Sequence, residues 1–382
     1  MLPVVVVSDH GQKRIKAKHP WIFSNELVKK PDAAPGDPVQ VHDHTGRIIA
    51  TGYYNPQTLI AVRILSFNKP FDLEARLRKA NDRRSSYADN IYRMVYGESD
   101  GLPGLIVDRY LDTLVMQLLT AGMDRMTEQI IQCLQTLIRP ARILLRNDSP
   151  YRELEGLDLK TEWVEGCASG DDGFEMDGLR FSVDFETGQK TGFFLDQREN
   201  RKRLRQYGAA DSLLDVFCYS GAWSCYGAAA GIRHITAVDS SADALEWTRK
   251  NAGNNGYSIT TIAADGPEFL RSVAGGNERY DRIVLDPPAF CKSKRHLDAA
   301  LRAYREINLR ALKSLKPGGI LFTCSCSQPV STPVFLEILH QAVTASGRQF
   351  VLRELLFQPP DHPVLLSFPE SHYLKCAILQ EW

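Results

Sequence analysis

The run Leu213-Leu-Asp-Val-Phe-Cys-Tyr-Ser-Gly221 constrains this chain more than any other stretch. Leu213–Val216 reads as a buried parallel strand, and the small-residue segment Ala222–Ala230 beyond the turn reads as a helix. A strand, a tight polar turn and a helix N-terminus form a ligand cradle at the carboxyl edge of a parallel sheet. Three further strand-like runs follow, Ile235–Asp239, Thr260–Asp265 and Ile283–Asp286, each ending in an acid. Strands alternating with helical segments from about residue 176 predict a doubly wound, Rossmann-like α/β sheet.

Acidic strand ends along one sheet edge suit a ligand with hydroxyls, an exocyclic amine and a positive charge. S-adenosylmethionine has all three. A nicotinamide dinucleotide competes, because Asp239 lies 18 residues after Gly221, near the usual ribose acid. That ligand needs G-x-G-x-x-G, whereas the turn offers Cys218-Tyr-Ser-Gly221-Ala-Trp, with no second glycine to admit a pyrophosphate. Any one of these acids is more often a helix cap; four in register favour a ligand.

At 382 residues, with 43% hydrophobic and 24% charged residues, the chain can hold two or three ordinary globular domains. It has no apolar run of membrane-spanning length, and Val4–Val7 is too short for the core of a signal peptide, so a cytoplasmic location without a membrane partner is expected. The eight cysteines form no Cys-x-x-Cys pair, so free thiols and no metal site are expected. A formal net charge of zero argues against nonspecific coating of nucleic acid. Residues 1–93 nevertheless hold 15 Lys/Arg against 9 Asp/Glu, and residues 286–320 hold 8 against 3, a pattern that suits a partner gripped at defined places.

Residues 1–72 read as a small β-barrel, with strand-like runs at Val4–Val7, Pro38–Val41, Ile48–Tyr54 and Leu59–Leu65, and Asp9-His-Gly as a turn. Lys13, Arg14, Lys16 and Lys18 give that barrel a basic edge of the kind that grips RNA. Residues 73–175 read as a central α+β linking domain, with Asp72 capping its first helix and strands near Val95, Leu105–Asp108, Thr113–Leu118 and Ile143–Leu145. Residues 176–382 form the doubly wound domain. In its lead-in, Phe193 and Phe194 could cover a cofactor, although aromatic pairs are more often core.

Two features carry chemistry. Asp286-Pro-Pro-Ala-Phe290 ends a core strand in a rigid loop that can present a carboxylate and carbonyls to a planar base, with Phe290 available to stack. The next strand, Gly319–Ser327, ends in Cys324 and Cys326, which share a face of an extended chain and could reach the same pocket. Carbon 5 of a pyrimidine is a poor nucleophile until a thiolate adds to carbon 6, so a thiol beside a base-binding loop fits carbon-5 methylation.

These motifs together resemble the RlmI-type family of class I methyltransferases, which modify cytosine carbon 5 in bacterial large-subunit (23S) ribosomal RNA. The resemblance rests on His19-Pro-Trp-Ile-Phe-Ser-Asn25, similar to the opening of the family's PUA domain, on Gly97–Tyr110, and on Lys190–Arg198, Asp215–Gly221, Asp286–Phe290, Ser325-Cys-Ser327, Asp361-His-Pro, Phe368-Pro-Glu and Tyr373-Leu-Lys375. It implies S-adenosylmethionine as cofactor and 23S rRNA, or its precursor, as partner. It further implies Cys326 as nucleophile, with Asp286 hydrogen-bonding the cytosine ring. Asp239 and Ser240 would hold the cofactor ribose, and Asp265 and Gly266 would lie near its adenine. Asp215 and the turn Phe217, Tyr219, Ser220 and Gly221 would pack beneath its methionine part, with Phe193, Gln197, Asp286 and Pro287 completing the cofactor site. Phe290, Lys292, Lys294 and Arg295 would contact RNA beside the basic barrel edge. Cys324 is a second candidate thiol, and Cys291 has no assigned role. Two other readings are open: a guanine-nitrogen rRNA methyltransferase of the same fold, and an RNA-binding assembly factor without catalysis. A two-fold dimer is the commonest assembly in general, but no interface is legible in the sequence.

Overall fold

The computed structural model describes residues 2–67, 70–170, 172–291 and 296–382. They fall into two compact units. The first comprises Met1–Asp172, Asp184–Leu195 and Pro360–Ser371; the second comprises Gly173–Val183, Asp196–Pro359 and His372–Trp382.

The second unit is built on a seven-stranded sheet. Its strands are β1 (Ser212–Val216), β2 (His234–Asp239), β3 (Thr260–Ala263), β4 (Tyr280–Leu285), β5 (Leu315–Ser325), β6 (Phe350–Leu356) and β7 (Lys375–Glu381). They lie in the order β3-β2-β1-β4-β5-β7-β6, parallel except for β7, which runs antiparallel between β5 and β6. The helices are α1 (Arg198–Gln206), α2 (Ala222–Ala229), α3 (Ala242–Asn254), α4 (Gly266–Gly275), α5 (Leu297–Lys313) and α6 (Thr332–Ser346).

The central strands are apolar at consecutive positions because both faces are covered. Leu214, Ile283 and Leu321 pack with Leu270, Tyr304 and Phe335 on one face. Leu213, Val284 and Phe322 pack with Leu204 and Trp223 on the other. Each fully buried Leu or Ile contributes about 1.5–3 kcal/mol, enough to fix the register of β1 between β2 and β4. That register, Asp215 opposite Ala237 and Val284, aligns the strand ends that carry the polar residues.

The first unit holds two sheets. One is six-stranded, in the order Trp21–Ile22, Val62–Ser66, Ile48–Tyr54, Pro38–His42, Val4–Val7 and Leu27–Lys29. The other is five-stranded, in the order Lys160–Glu165, Arg142–Asn147, Thr113–Leu118, Leu105–Tyr110 and Ile91–Tyr96. Buried polar contacts tie the two together. The Tyr53 hydroxyl donates to Pro103 O at 2.6 Å, Asn55 Nδ2 donates to a Glu155 carboxylate oxygen at 2.8 Å, and Arg63 pairs with the same Glu155 at 2.8 Å.

Asp72 caps the helix Leu73–Asp82 as expected, accepting the Ala75 amide at 2.9 Å. The Asp9-His-Gly turn is a correction: Asp9–Lys16 is a helix, with the Ser8 hydroxyl accepting the Gly11 amide at its start. Gly11 serves packing here, because a Cβ would stand 3.0 Å from Val7 Cβ.

Candidate active site

β1 opens into a turn that β2 holds by its main chain. The amides of Phe217 and Cys218 donate to Val238 O at 2.9 and 3.1 Å. Phe217 (φ 68°), Tyr219 (φ 48°) and Gly221 (φ 74°) all lie in the left-handed region. For the two non-glycine residues this costs on the order of 1–3 kcal/mol each, and such strain persists only where the surroundings over-determine it. Here Asp239 Oδ2 accepts the Tyr219 amide at 2.9 Å, the Thr248 hydroxyl donates to Tyr219 O at 2.8 Å, and Asn251 Nδ2 donates to the buried Ser220 O at 3.0 Å. A Cβ at Gly266 would stand 2.6 Å from the Phe217 ring, so only glycine lets that ring lie against the start of α4.

Asp239 is half-buried; its other oxygen accepts the Ser241 amide at 3.0 Å, with Ser240 exposed beside it. A carboxylate offers about four lone-pair directions, so Asp239 keeps acceptor capacity for a diol. Asp265 is exposed and caps α4 through the Glu268 amide at 3.0 Å.

The β4–β5 side of the edge is different. Gln197 Nε2 donates to Asp286 Oδ1 at 2.8 Å and Trp223 Nε1 donates to Oδ2 at 3.0 Å. Asn200 fixes the Gln197 amide in turn, donating to its Oε1 at 2.7 Å. Burial raises the Asp286 pKa above the ordinary carboxylate range, opposed by the Trp223 hydrogen bond and the Arg201 charge. Asp215 is fully buried and accepts the Ser224 hydroxyl at 2.7 Å through Oδ2, while its Oδ1 has no hydrogen-bond partner among the described residues. Burial pushes Asp215 up to about 7. The Arg201 guanidinium, 3% exposed, lies among Asp286, Tyr226, Asp196 and Asp215, whose charges support it against burial.

The two chemical motifs meet. The Cys326 thiol is half-buried and donates to Pro287 O at 3.7 Å, which joins the end of β5 to the Asp-Pro-Pro loop. Cys324 sits inside β5 opposite Cys376 of β7, 1% exposed, and burial pushes its thiol well above the ordinary range. The strand ends at Ser325, one residue before Cys326, and Cys324 within it also feels Asp286 and Gln197. Cys291 is buried, its amide donating to Ser327 Oγ at 3.1 Å.

A family model for S-adenosylmethionine-dependent methyltransferases matches residues 140–370, and one for a PUA-like domain matches residues 5–67. The chain belongs to the S-adenosylmethionine-dependent methyltransferases. It is 36% identical to ribosomal RNA large subunit methyltransferase I of Klebsiella pneumoniae, over 98% of this chain and 97% of that protein. The protein of that name from Aeromonas salmonicida is 37% identical over 97% of each chain, and the one from Tolumonas auensis 35% identical over the full length of both. Solved structures share the fold over their whole length: a candidate methyltransferase in complex with SAH (18% identity, TM-score 0.86) and a candidate SAM-dependent methyltransferase from Streptococcus mutans (17% identity, TM-score 0.84).

S-adenosylmethionine is the cofactor of this methyltransferase, and the β1–β2–β3 edge fits it, with an orphaned buried acceptor on Asp215 and spare acceptor capacity on Asp239. The other expected site residues are spread more widely. Gln197 orients Asp286. Phe193 is fully buried in the first unit. Phe290 packs on Tyr304 (ring centroids 4.8 Å apart) and edge-on to Phe217 (6.3 Å). On the PUA-like domain Lys13, Lys16 and Lys18 are exposed, Lys18 lying over the Phe67 ring, whereas Arg14 pairs with Glu26 at 3.0 Å and lies over Phe23. Lys292, Lys294 and Arg295 lie outside the described residues.

Sequence reasoning assigned no role to Arg201, Trp223 or Lys375. Arg201 hides in the charged run Arg198-Glu-Asn-Arg-Lys-Arg-Leu-Arg205, which reads as a solvated helix face. Among the described residues no cluster of three or more His, Cys, Asp or Glu could hold a metal ion, and no helix is long and apolar enough to cross a membrane.

Proposed function

We propose that this methyltransferase forms 5-methylcytosine in 23S ribosomal RNA through a Cys326 thiol adduct. The approach of the Cys326 thiol to Pro287 O carries the proposal, because it sets a nucleophile beside the base-binding loop that follows Asp286. The relatives named as ribosomal RNA large subunit methyltransferase I, and the PUA-like domain, support ribosomal RNA as the substrate. A cytoplasmic site of action follows from that substrate.

The thiolate adds to carbon 6 of cytosine, forming an S–C bond and moving the ring electron pair toward carbon 5. Carbon 5 then forms a bond to the sulfonium methyl that bound S-adenosylmethionine would supply, the methyl–sulfur bond breaking with its electron pair left on sulfur. Asp286, held by Gln197 and Trp223 and raised by burial, can keep a proton to share with the ring nitrogen and so stabilise the adduct. A base then takes the carbon-5 proton, the ring double bond re-forms, and the thiolate leaves. Asp239 takes the cofactor ribose, the turn Phe217–Gly221 takes the methionine part, and Asp265 and Gly266 stand at the adenine end. Functionally the chain has three parts: residues 1–72 grip RNA, residues 73–175 link, and residues 176–382 catalyse.

The purified protein is incubated with S-adenosylmethionine and 23S rRNA lacking its modifications, beside a Cys326→Ser sample, and the digested RNA is read by mass spectrometry. Carbon-5 methylcytidine that disappears in the variant, by roughly 10⁴-fold or more as for loss of a covalent nucleophile, supports the proposal. Methylguanosine, or full activity in the variant, moves the reading to nitrogen methylation. Cofactor binding without any product moves it to an assembly factor.

A further inference from the structure

The Tyr373-Leu-Lys375 segment contains a charged residue that the mechanism above does not use. Lys375 opens β7 and stands opposite Ser325 of β5, one residue before Cys326. Its side chain is buried, the residue being 2% exposed. Nζ donates to Ser327 O and to Tyr373 O, both at 2.8 Å, so it grips the main chain on the far side of Cys326. Two carbonyls satisfy hydrogens of the ammonium without neutralising its charge. Among the described residues no carboxylate pairs with it.

A buried ammonium normally has a counter-charge or gives up its proton. Burial does push Lys375 down, to about 8, and the group that pulls it back up is the Cys326 thiol. Three further titratable groups of the described residues lie near this pair: Asp286, next to the Pro287 carbonyl that Cys326 contacts, His372 and Tyr304. His372 is pushed below its ordinary value by burial and by Lys375, and Tyr304, which feels Cys326, is pushed up to about 12.

We propose that Lys375 is the positioning residue of the thiol chemistry: its ammonium, tied to the carbonyls of Ser327 and Tyr373, is the fixed counter-charge against which the Cys326 thiolate forms. When the pair starts neutral, the S–H bond breaks, the electron pair stays on sulfur and the proton is relayed through solvent to Nζ. When Lys375 already carries its proton, the thiol proton leaves to solvent. Either route ends in the same ammonium–thiolate pair. An ordinary thiol, with a pKa of about 8.5, would be mostly protonated near neutral pH.

The inference rests on Cys326 being the nucleophile, and its test is independent of RNA. The full-length protein is alkylated with iodoacetamide between pH 6 and 10, and modification of the Cys326 peptide is followed by mass spectrometry. The native protein should show a midpoint below that of an ordinary thiol. Lys375→Met should raise it by roughly one unit, slowing alkylation at neutral pH about tenfold, with part of the methyl-transfer loss recovered at higher pH. Lys375→Arg should keep the low midpoint. Cofactor affinity, measured by calorimetry, should be unchanged in both variants. A Lys375→Met protein that loses transfer with its Cys326 midpoint unmoved makes the lysine merely structural and overturns the inference. If Lys375→Met does not fold, a native midpoint at or above the ordinary thiol value overturns it equally. Activity retained in Cys326→Ser removes the nucleophile reading itself and is a separate result.

Discussion

On the β1–β2–β3 side of the sheet edge, Asp239 and Asp265 direct carboxylate oxygens to main-chain amides, and a turn with two strained non-glycine residues is held by Val238, Thr248 and Asn251. On the β4–β5–β7 side, Asp286 is gripped by side chains, and the ionisable groups Asp286, Tyr304, Cys324 and Lys375 are shifted by burial. The first side is fixed by main-chain hydrogen bonds and partly exposed, which suits recognition of a cofactor of fixed shape. The second sets half-buried reacting groups, Asp286 and Cys326, among buried ionisable neighbours, which suits moving protons to and from a base. A boundary runs through β1 itself, since Asp215 lies in the cofactor strand but shares the burial and the Arg201 charge of the reaction side.

The largest effect expected from breaking this division is at Asp286. Asp286→Asn should lower the turnover rate by about 10²–10⁴-fold, the scale of a lost acid–base group, while calorimetry shows cofactor affinity changed far less. An equal loss in both would erase the boundary.

Asp215 tests burial by pH. Burial pushes its pKa up to about 7, above the ordinary aspartate range, so the fold favours the protonated acid. That contribution is complete below about pH 4 and is lost as pH rises through about 7, a change on the order of 4 kcal/mol. Asp215→Asn should flatten this fall in denaturation free energy; an unaltered slope would mean that the carboxyl is solvated.

Asp239→Ala should weaken cofactor binding by about 10- to 100-fold, the scale of a lost hydrogen bond to a charged group, with turnover at saturating cofactor little affected. Loss of turnover with intact affinity would contradict the cofactor role of that side. The smallest effect belongs to Cys324→Ala, which should cost about 1 kcal/mol of stability as a small buried truncation and leave methyl transfer within a few-fold. Activity that falls as in Cys326→Ser would reverse the assignment of the two thiols.

Local pattern made much of this edge readable. The strand expected at Leu213–Val216 is observed as Ser212–Val216, and Asp286 and Cys326 follow neighbouring parallel strands, so their loops meet although 40 positions separate them. What escaped depends on contacts that no local period encodes. Cys324 is buried where β5 pairs with β7, whereas Cys326, just past the last strand residue, is half-buried. Lys375 reaches the site because β7 inserts antiparallel between β5 and β6, a pairing made by the far end of the chain. Arg201 is buried because four acidic or phenolic groups converge on it, although its own helix is rich in charge. The helix Asp9–Lys16 escaped because the glycine that reads as a turn is required for close packing on Val7.

The central claim is a covalent bond between Cys326 and cytosine, and a substrate that cannot complete the reaction tests it most directly. With fluorine at carbon 5 there is no proton for the base to remove, so an adduct formed in the presence of S-adenosylmethionine cannot break down. Incubation with 23S rRNA containing 5-fluorocytosine, followed by denaturing electrophoresis and peptide mass spectrometry, should give a protein–RNA species linked at Cys326. A species linked at Cys324, or turnover of ordinary rRNA with no trapped species from the fluorinated one, would contradict the account.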